Sequence, residues 1–131
     1  MASIFSRIIQ GEIPCHRVAE SEEFLAFLDI RPIRPGHTLV VPKREIDQFF
    51  WLPDDLLTGL MLFAKPIARA IQMVTGAERV SAAVAGFDVP HAHLHLIPAD
   101  SMMDLDFSRQ APADPDALAE MAGRIREVLG H

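Results

Sequence analysis

The sequence predicts an α+β fold, an antiparallel sheet with a long central helix and a C-terminal helix packed on it. Three observations predict it. Apolar residues recur at positions 56, 57, 60, 61, 63, 64, 67, 68, 71 and 74, a helical stripe over residues 53–75. Apolar and β-branched runs bounded by proline or glycine, at 24–29, 37–41, 79–85 and 91–97, read as strands. A second amphipathic stretch, with apolar residues at 118, 121, 122, 125, 128 and 129, closes the chain as a helix over about 115–129.

Each element has local reasons. Apolar residues at 4, 5, 8 and 9 have helical spacing, and Gly11 and Pro14 end that short N-terminal helix. Pro32, Pro35 and Gly36 make a loop between the first two strands, and Pro42 closes the second. A connection of that kind suggests an antiparallel pair. In the long helix Pro53 suits the first turn, Asp54 and Asp55 sit at the positive end of the dipole, and Gly76 follows as a C-cap. Pro66 cannot donate to the carbonyl four residues back and should kink this helix. Residues 86–90 connect the last two strands, Pro98 closes the final one, and 100–114 is a polar loop.

With 131 residues, half of them hydrophobic, the chain fits one domain over residues 1–131 with a real core. A net charge of −6 gives no long-range attraction for nucleic acid, so no nucleic-acid partner is expected. Arg31, Arg34, Lys43 and Arg44 cluster in sequence, either as a local positive field or as a solvated surface. Cys15 is the only cysteine, which excludes an internal disulfide and reads as an apolar filler rather than a nucleophile. The N-terminus has no signal-peptide pattern and no apolar run reaches the length of a membrane span. These features point to a cytoplasmic protein with no membrane partner.

The chemistry is concentrated at Pro90-His91-Ala92-His93-Leu94-His95-Leu96-Ile97-Pro98. In a strand, alternation puts His91, His93 and His95 on one face and Ala92, Leu94 and Leu96 on the other, toward the core. Crowding three basic rings lowers their pKa values, and a neutral imidazole nitrogen is a good nucleophile and base. Two other readings stay open on these residues alone. Three histidines can hold a catalytic zinc with an open position, although no carboxylate lies within the strand and Asp100 is the nearest downstream. They can also be half-exposed residues of a surface strand.

The segment His91-Ala92-His93-Leu94-His95-Leu96-Ile97 resembles the signature of the histidine triad family, three histidines each followed by an apolar residue. The resemblance extends to Ile4–Pro14, to Phe27-Leu28-Asp29-Ile30-Arg31-Pro32 and to Pro35–Lys43, in order, and covers roughly residues 3–109. It implies a nucleotide substrate, a purine nucleoside phosphate derivative, cleaved at the α-phosphorus with no cofactor. His93 would be the nucleophile, His95 a phosphate donor and acid, His91 the group that orients His93, and His37 a support from the neighbouring strand. Asp29 would accept the ribose hydroxyls, and Ile4, Phe5, Ile8, Phe27 and Ile30 would wall the base pocket. A homodimer is implied as well, through the long helix and an extended sheet.

The chain also departs from the family's pattern. Phe87 and Asp88 stand where a glutamine and a small polar residue are usual, on the leaving-group side. Ser3, Ser6 and Glu45 stand where some bacterial members carry zinc ligands, so no metal is expected. A nucleoside phosphoramidate or a dinucleoside polyphosphate both fit as substrate. The alternatives are a nucleotide-binding interaction module with little catalysis and a metal-dependent hydrolase.

Overall fold

The computed structural model describes residues 2–130. In chain order it contains α1 (Ile4–Ile9), β1 (Arg17–Glu20), β2 (Phe24–Leu28), β3 (Thr38–Pro42), α2 (Asp54–Thr75), β4 (Arg79–Ala83), β5 (Leu94–Ala99) and α3 (Pro115–Leu129). Short 3-10 turns lie at Phe49–Trp51, Met102–Leu105 and Phe107–Arg109. The five strands form one sheet in the order β1-β2-β3-β5-β4, with every neighbouring pair antiparallel. The fold is α+β, as the sequence predicts.

Alternation gives the sheet two different faces. Val18, Phe24, Ala26, Leu28, Val40, Leu94 and Leu96 point to one side and pack with Leu56, Leu60, Ala64, Ile67 and Ile71 of α2 and Leu118, Ala122 and Ile125 of α3. The other face carries a smaller apolar cluster of Phe5, Leu25, Phe27, Leu39 and Val41, flanked by Ile8 and Ile9 of α1. The register sets Phe27 opposite Leu39, Leu39 opposite His95, and His95 opposite Ala83. One row across this second face therefore leads from apolar residues to a histidine.

Several local expectations are corrected. The strand expected over 91–97 begins only at Leu94 and runs through Pro98 to Ala99. Pro98 is tolerated because β3 pairs with β5 only as far as Leu96, leaving a neighbour on one side alone. The strand expected over 79–85 stops at Ala83. Strand β1 carries a register irregularity between Arg17 and Ala19, which breaks the alternation that would have revealed it. Helix α2 continues past Pro66, the position where the sequence places a kink. Pro66 and Leu62, whose carbonyl loses its helical partner, are both exposed within the chain.

At 22 residues α2 is also long and apolar enough to cross a membrane by length and composition alone. Its buried stripe of Leu56, Leu60, Ala64, Ile67, Ala70 and Ile71 lies against the sheet and α3. Its other side exposes Met61, Leu62 and Met73.

Candidate active site

Three segments converge on the second face of the sheet. His37 ends the loop before β3, His95 lies in β5, and His91 and His93 occupy the irregular segment leading into β5. All four rings are buried, His37 and His91 completely. The segment is held by Ala92, whose N–H donates to Ile46 O at 2.7 Å and whose side chain enters the main core. The alternation of the histidines thus persists ahead of the ladder.

The hydrogen bonds fix the tautomers. The Nδ1 of His93 lies 2.7 Å from the carbonyl of His91, which can only accept, so Nδ1 carries the proton. In the neutral ring this leaves the Nε2 lone pair of His93 free. On the other side, Ile33 N–H donates to Nδ1 of His37 at 3.0 Å, so His37 carries its proton on Nε2. That Nε2 lies 2.9 Å from Nδ1 of His95 and donates to it. His95 must then carry its own proton on Nε2, an outward-facing donor. No buried side-chain nitrogen or oxygen lacks a partner among the described residues, so both free Nε2 atoms reach the surface.

Burial disfavours the charged form of His37, His91 and His95. It lowers His37 to about 4. It lowers His95 to about 3, with the neighbouring His37 and His93 adding to the effect. Burial lowers His91 too, opposed by the Pro42 carbonyl and the charge of Glu45. The His93 and His95 rings meet edge to face at 5.0 Å, and Phe5 stands edge-on to His93 at 5.0 Å.

Asp29 follows β2 at the edge of this cluster. Its Oδ1 accepts from Arg31 N–H at 2.9 Å and its Oδ2 from the Gln110 amide at 3.0 Å. Burial raises its pKa against those donors. Of the apolar residues expected around a base, Phe5, Ile8 and Phe27 share the second cluster, whereas Ile4 and Ile30 are exposed. Phe87 is exposed, and Phe87 and His93 line a common cleft of about 610 Å³ with Asp47, Phe50, Trp51 and Gly86. Asp88 is exposed beside it in sequence.

Two contributors were not legible as site residues. Phe107 stacks edge-on against His95 at 4.8 Å, and Gln110 holds Asp29. Both fall in the stretch read as polar loop, where an isolated aromatic was the only signal. Two of the four clustered basic residues meet acidic partners. Arg34 meets Asp100 at 2.8 Å and Asp104 at 2.9 Å, and Lys43 meets Glu20 at 2.7 Å. Burial raises the pKa of Cys15, in keeping with a filler role.

The geometry weighs against three triad histidines as metal ligands, because both ring nitrogens of His91 are engaged, Nδ1 by Ser3 Oγ and Nε2 by Pro42 O. Asp29, His37 and His95 form a different group whose ligand atoms lie within 4.8 Å of one another. Its two nitrogens are 2.9 Å apart, a hydrogen-bond separation. Two nitrogens on a tetrahedral zinc would stand about 3.3 Å apart, so these residues fit a shared proton better than an ion.

The HIT domain family matches residues 10–102, which include His37 and the three histidines of the motif. The chain is 43% identical over 102 residues to a HIT-like protein of Methanocaldococcus jannaschii, covering 72% of this chain and 77% of that one. It is 32% identical over 133 residues to the adenosine 5'-monophosphoramidase of Saccharomyces cerevisiae, covering 93% and 84%. A HIT-like protein from Bartonella henselae, solved with an unknown ligand, superposes with a TM-score of 0.85 at 29% identity, covering 96% of this chain and 95% of that one. Motif, sheet order and domain match coincide on the same residues, and the chain belongs to the histidine triad family.

Proposed function

We propose that this protein hydrolyses a nucleoside 5'-phosphoramidate through a covalent intermediate on His93. The observation that carries this reading is the Nδ1–H of His93 donating to His91 O, which leaves Nε2 as the free lone pair at the cleft. In the first step Nε2 attacks the α-phosphorus, the P–N bond to the amine breaks, and the amine departs with the Nε2 proton of His95, which the attacking water of the second step restores. In the second step water attacks the phosphorus, the P–Nε2 bond breaks, and the nucleoside monophosphate leaves. Splitting one displacement into two lowers each barrier.

His95 Nε2–H donates to the phosphoryl oxygens as charge builds on them. His91 orients His93, and His37 orients His95. Asp29 takes the ribose hydroxyls in exchange for the Gln110 amide. Phe5, Ile8 and Phe27 stack along the base, with Ile4 and Ile30 at the rim. The adenosine 5'-monophosphoramidase of Saccharomyces cerevisiae, similar over most of this chain, supports the amine leaving group. So does the cleft, since its lining among the described residues contains Asp47 and no lysine or arginine. A dinucleoside polyphosphate would bring several negative charges there without a counter-ion.

The acting unit in this reading is a homodimer. Strand β4 is a sheet edge, and the face of α2 bearing Met61 and Leu62 is apolar and exposed. A second copy covers both.

The test is hydrolysis of a fluorogenic adenosine phosphoramidate by the parent and by His93→Ala, with and without chelator. We expect chelator-resistant turnover, lower by at least about 1,000-fold in the variant, and a nucleotidyl-protein trapped by denaturation in the parent alone. Nucleotide binding without turnover in the parent would replace this reading with a binding module. Turnover lost to chelator would replace it with metal catalysis.

A further inference from the structure

A polar cluster at α1, buried at Ser3 and Ser6 and open to solvent at Glu45, touches the triad at His91. Ser3 Oγ lies 2.8 Å from Nδ1 of His91 and caps α1 by accepting from Ser6 N–H at 3.0 Å. Ser6 Oγ donates to Glu45 Oε1 at 2.7 Å, and the backbone N–H of Ser3 donates to the same oxygen. The Ser6 hydroxyl also stands 3.4 Å from His91 Nδ1. Ser3, Ser6 and His91 are buried, so each of these atoms needs its partner.

The proton directions in this cluster are forced. Pro42 O, 2.8 Å from Nε2 of His91, only accepts, so neutral His91 has its proton on Nε2 and its lone pair on Nδ1. The Ser3 hydroxyl must therefore donate to His91 rather than accept from it. Its remaining lone pairs take the Ser6 N–H. Glu45 is ionised: the Ser3 N–H and the Ser6 hydroxyl hold it down to about 2. The chain of partners then runs from Glu45 to Ser3, to the His91 ring, and through the His91 carbonyl to Nδ1 of His93.

We propose that Glu45, Ser3 and Ser6 are positioning residues for the reaction, a relay that, with the Pro42 carbonyl, keeps His91 singly protonated on Nε2 and in place so that its carbonyl meets His93 Nδ1–H. This rests on the reading of His93 as nucleophile. The nucleotidyl-histidine carries positive charge on its ring, and the oriented carbonyl stabilises that charge only if His91 cannot turn. The cost of one mobile or doubly protonated His91 falls on the covalent step and not on nucleotide binding.

Substitutions at Ser3 separate the relay from ordinary helix capping. Ser3→Thr keeps both the cap and the hydroxyl proton. Ser3→Asp keeps the cap acceptor but has no proton to give. Placed between a carboxylate and the Pro42 carbonyl, His91 would then be driven to the doubly protonated form. Long-range nitrogen–proton NMR of nitrogen-15 histidine reads these states in substrate-free protein, beside kcat, KM and the melting temperature.

For the parent and Ser3→Thr we expect His91 protonated on Nε2 alone and His93 on Nδ1 alone. For Ser3→Asp we expect an imidazolium at His91, unchanged melting, and kcat down by about 10-fold with KM within about twofold. Glu45→Ala should lower kcat similarly, and Glu45→Gln, which still accepts both donors, should restore most of it. A parent His91 protonated on Nδ1, or a Ser3→Asp variant that matches Ser3→Thr in spectrum and kcat, overturns the relay. Absence of phosphoramidate turnover in the parent would strike the proposed function alone, because the tautomer spectra need no substrate.

Discussion

The Nε2 of His37 lies 2.9 Å from Nδ1 of His95, and that contact decides which nitrogen of His95 faces outward. Neither ring reaches both ends of the chain by itself. The direction is imposed by Ile33 N–H, a donor that cannot reverse. In His37→Leu the cavity is similar in shape but Nδ1 of His95 loses its donor. We expect kcat lower by about 10- to 100-fold, the range that one buried unpaired acceptor and a tautomer mixture would give. KM for the phosphoramidate should move less than about threefold, because His37 lies behind His95. Steady-state kinetics on the folded variant checks both.

The same burial sets the dependence of stability on pH. His37 and His95 titrate near 4 and near 3 when folded and near 6.5 when unfolded. Between those values the unfolded chain binds more protons than the native one, so stability falls as pH drops from about 6.5 toward about 4. Above about 6.5 the contribution is constant. Two such groups give a slope approaching about 2.7 kcal/mol per pH unit within that window, and His91 acts with the same sign. Asp29, raised by burial, opposes the trend at its lower end. Urea denaturation at stepped pH should show this slope, and His95→Gln should flatten it by about one proton.

Much of this site was readable because a two-residue alternation survives where the ladder does not. His91 and His93 precede β5, yet Ala92 is pinned by Ile46 O and keeps the alternation in phase. The α2 stripe was readable because a long amphipathic period is insensitive to a single proline on its exposed side. Strand β1 was not, since four residues interrupted by a bulge carry no period. Phe107 and Gln110 were not either. Phe107 reaches His95 across about a dozen positions of chain and Gln110 reaches Asp29 across about eighty, contacts that only the fold makes. Ser3, Ser6 and Glu45 were noted as replaced positions, but their hydrogen bonds to one another and to His91 belong to the folded structure.

Gly36, immediately before His37, has φ +101°, and a Cβ there would stand 2.9 Å from Thr75 Cγ2. The close approach seats the loop before β3 on the end of α2. Gly36→Ala adds a left-handed backbone penalty and an overlap, together about 2–4 kcal/mol. Gly76, with φ +69° and open space around its Cβ position, carries the backbone term alone. We expect Gly36→Ala to melt well below Gly76→Ala, and scanning calorimetry on the three proteins tests the order.

Leu62 is 70% exposed on α2 and Met61 is 46% exposed beside it. If a second copy covers this face, Leu62→Glu buries a charge without a partner and the assembly fails. Sedimentation should give twice 14.5 kDa for the parent and one chain mass for the variant. A parent that sediments as a single chain removes the homodimer from the proposed function.

The cleft beside His93 sets the choice of leaving group by charge. Its lining offers Asp47 and exposed aromatic side chains and no cation. The parent should therefore favour an adenosine phosphoramidate over diadenosine triphosphate in kcat/KM. Phe87→Lys adds a solvated positive charge at the mouth, an effect worth about 1 kcal/mol or less at an exposed position. It should narrow that preference by up to about fivefold at low salt, and the gain should shrink as ionic strength rises. Phe87→Gln, neutral and polar, is the control. If it narrows the preference as much as the lysine does and salt has no effect, shape rather than charge selects the leaving group, and the electrostatic argument for the amine fails.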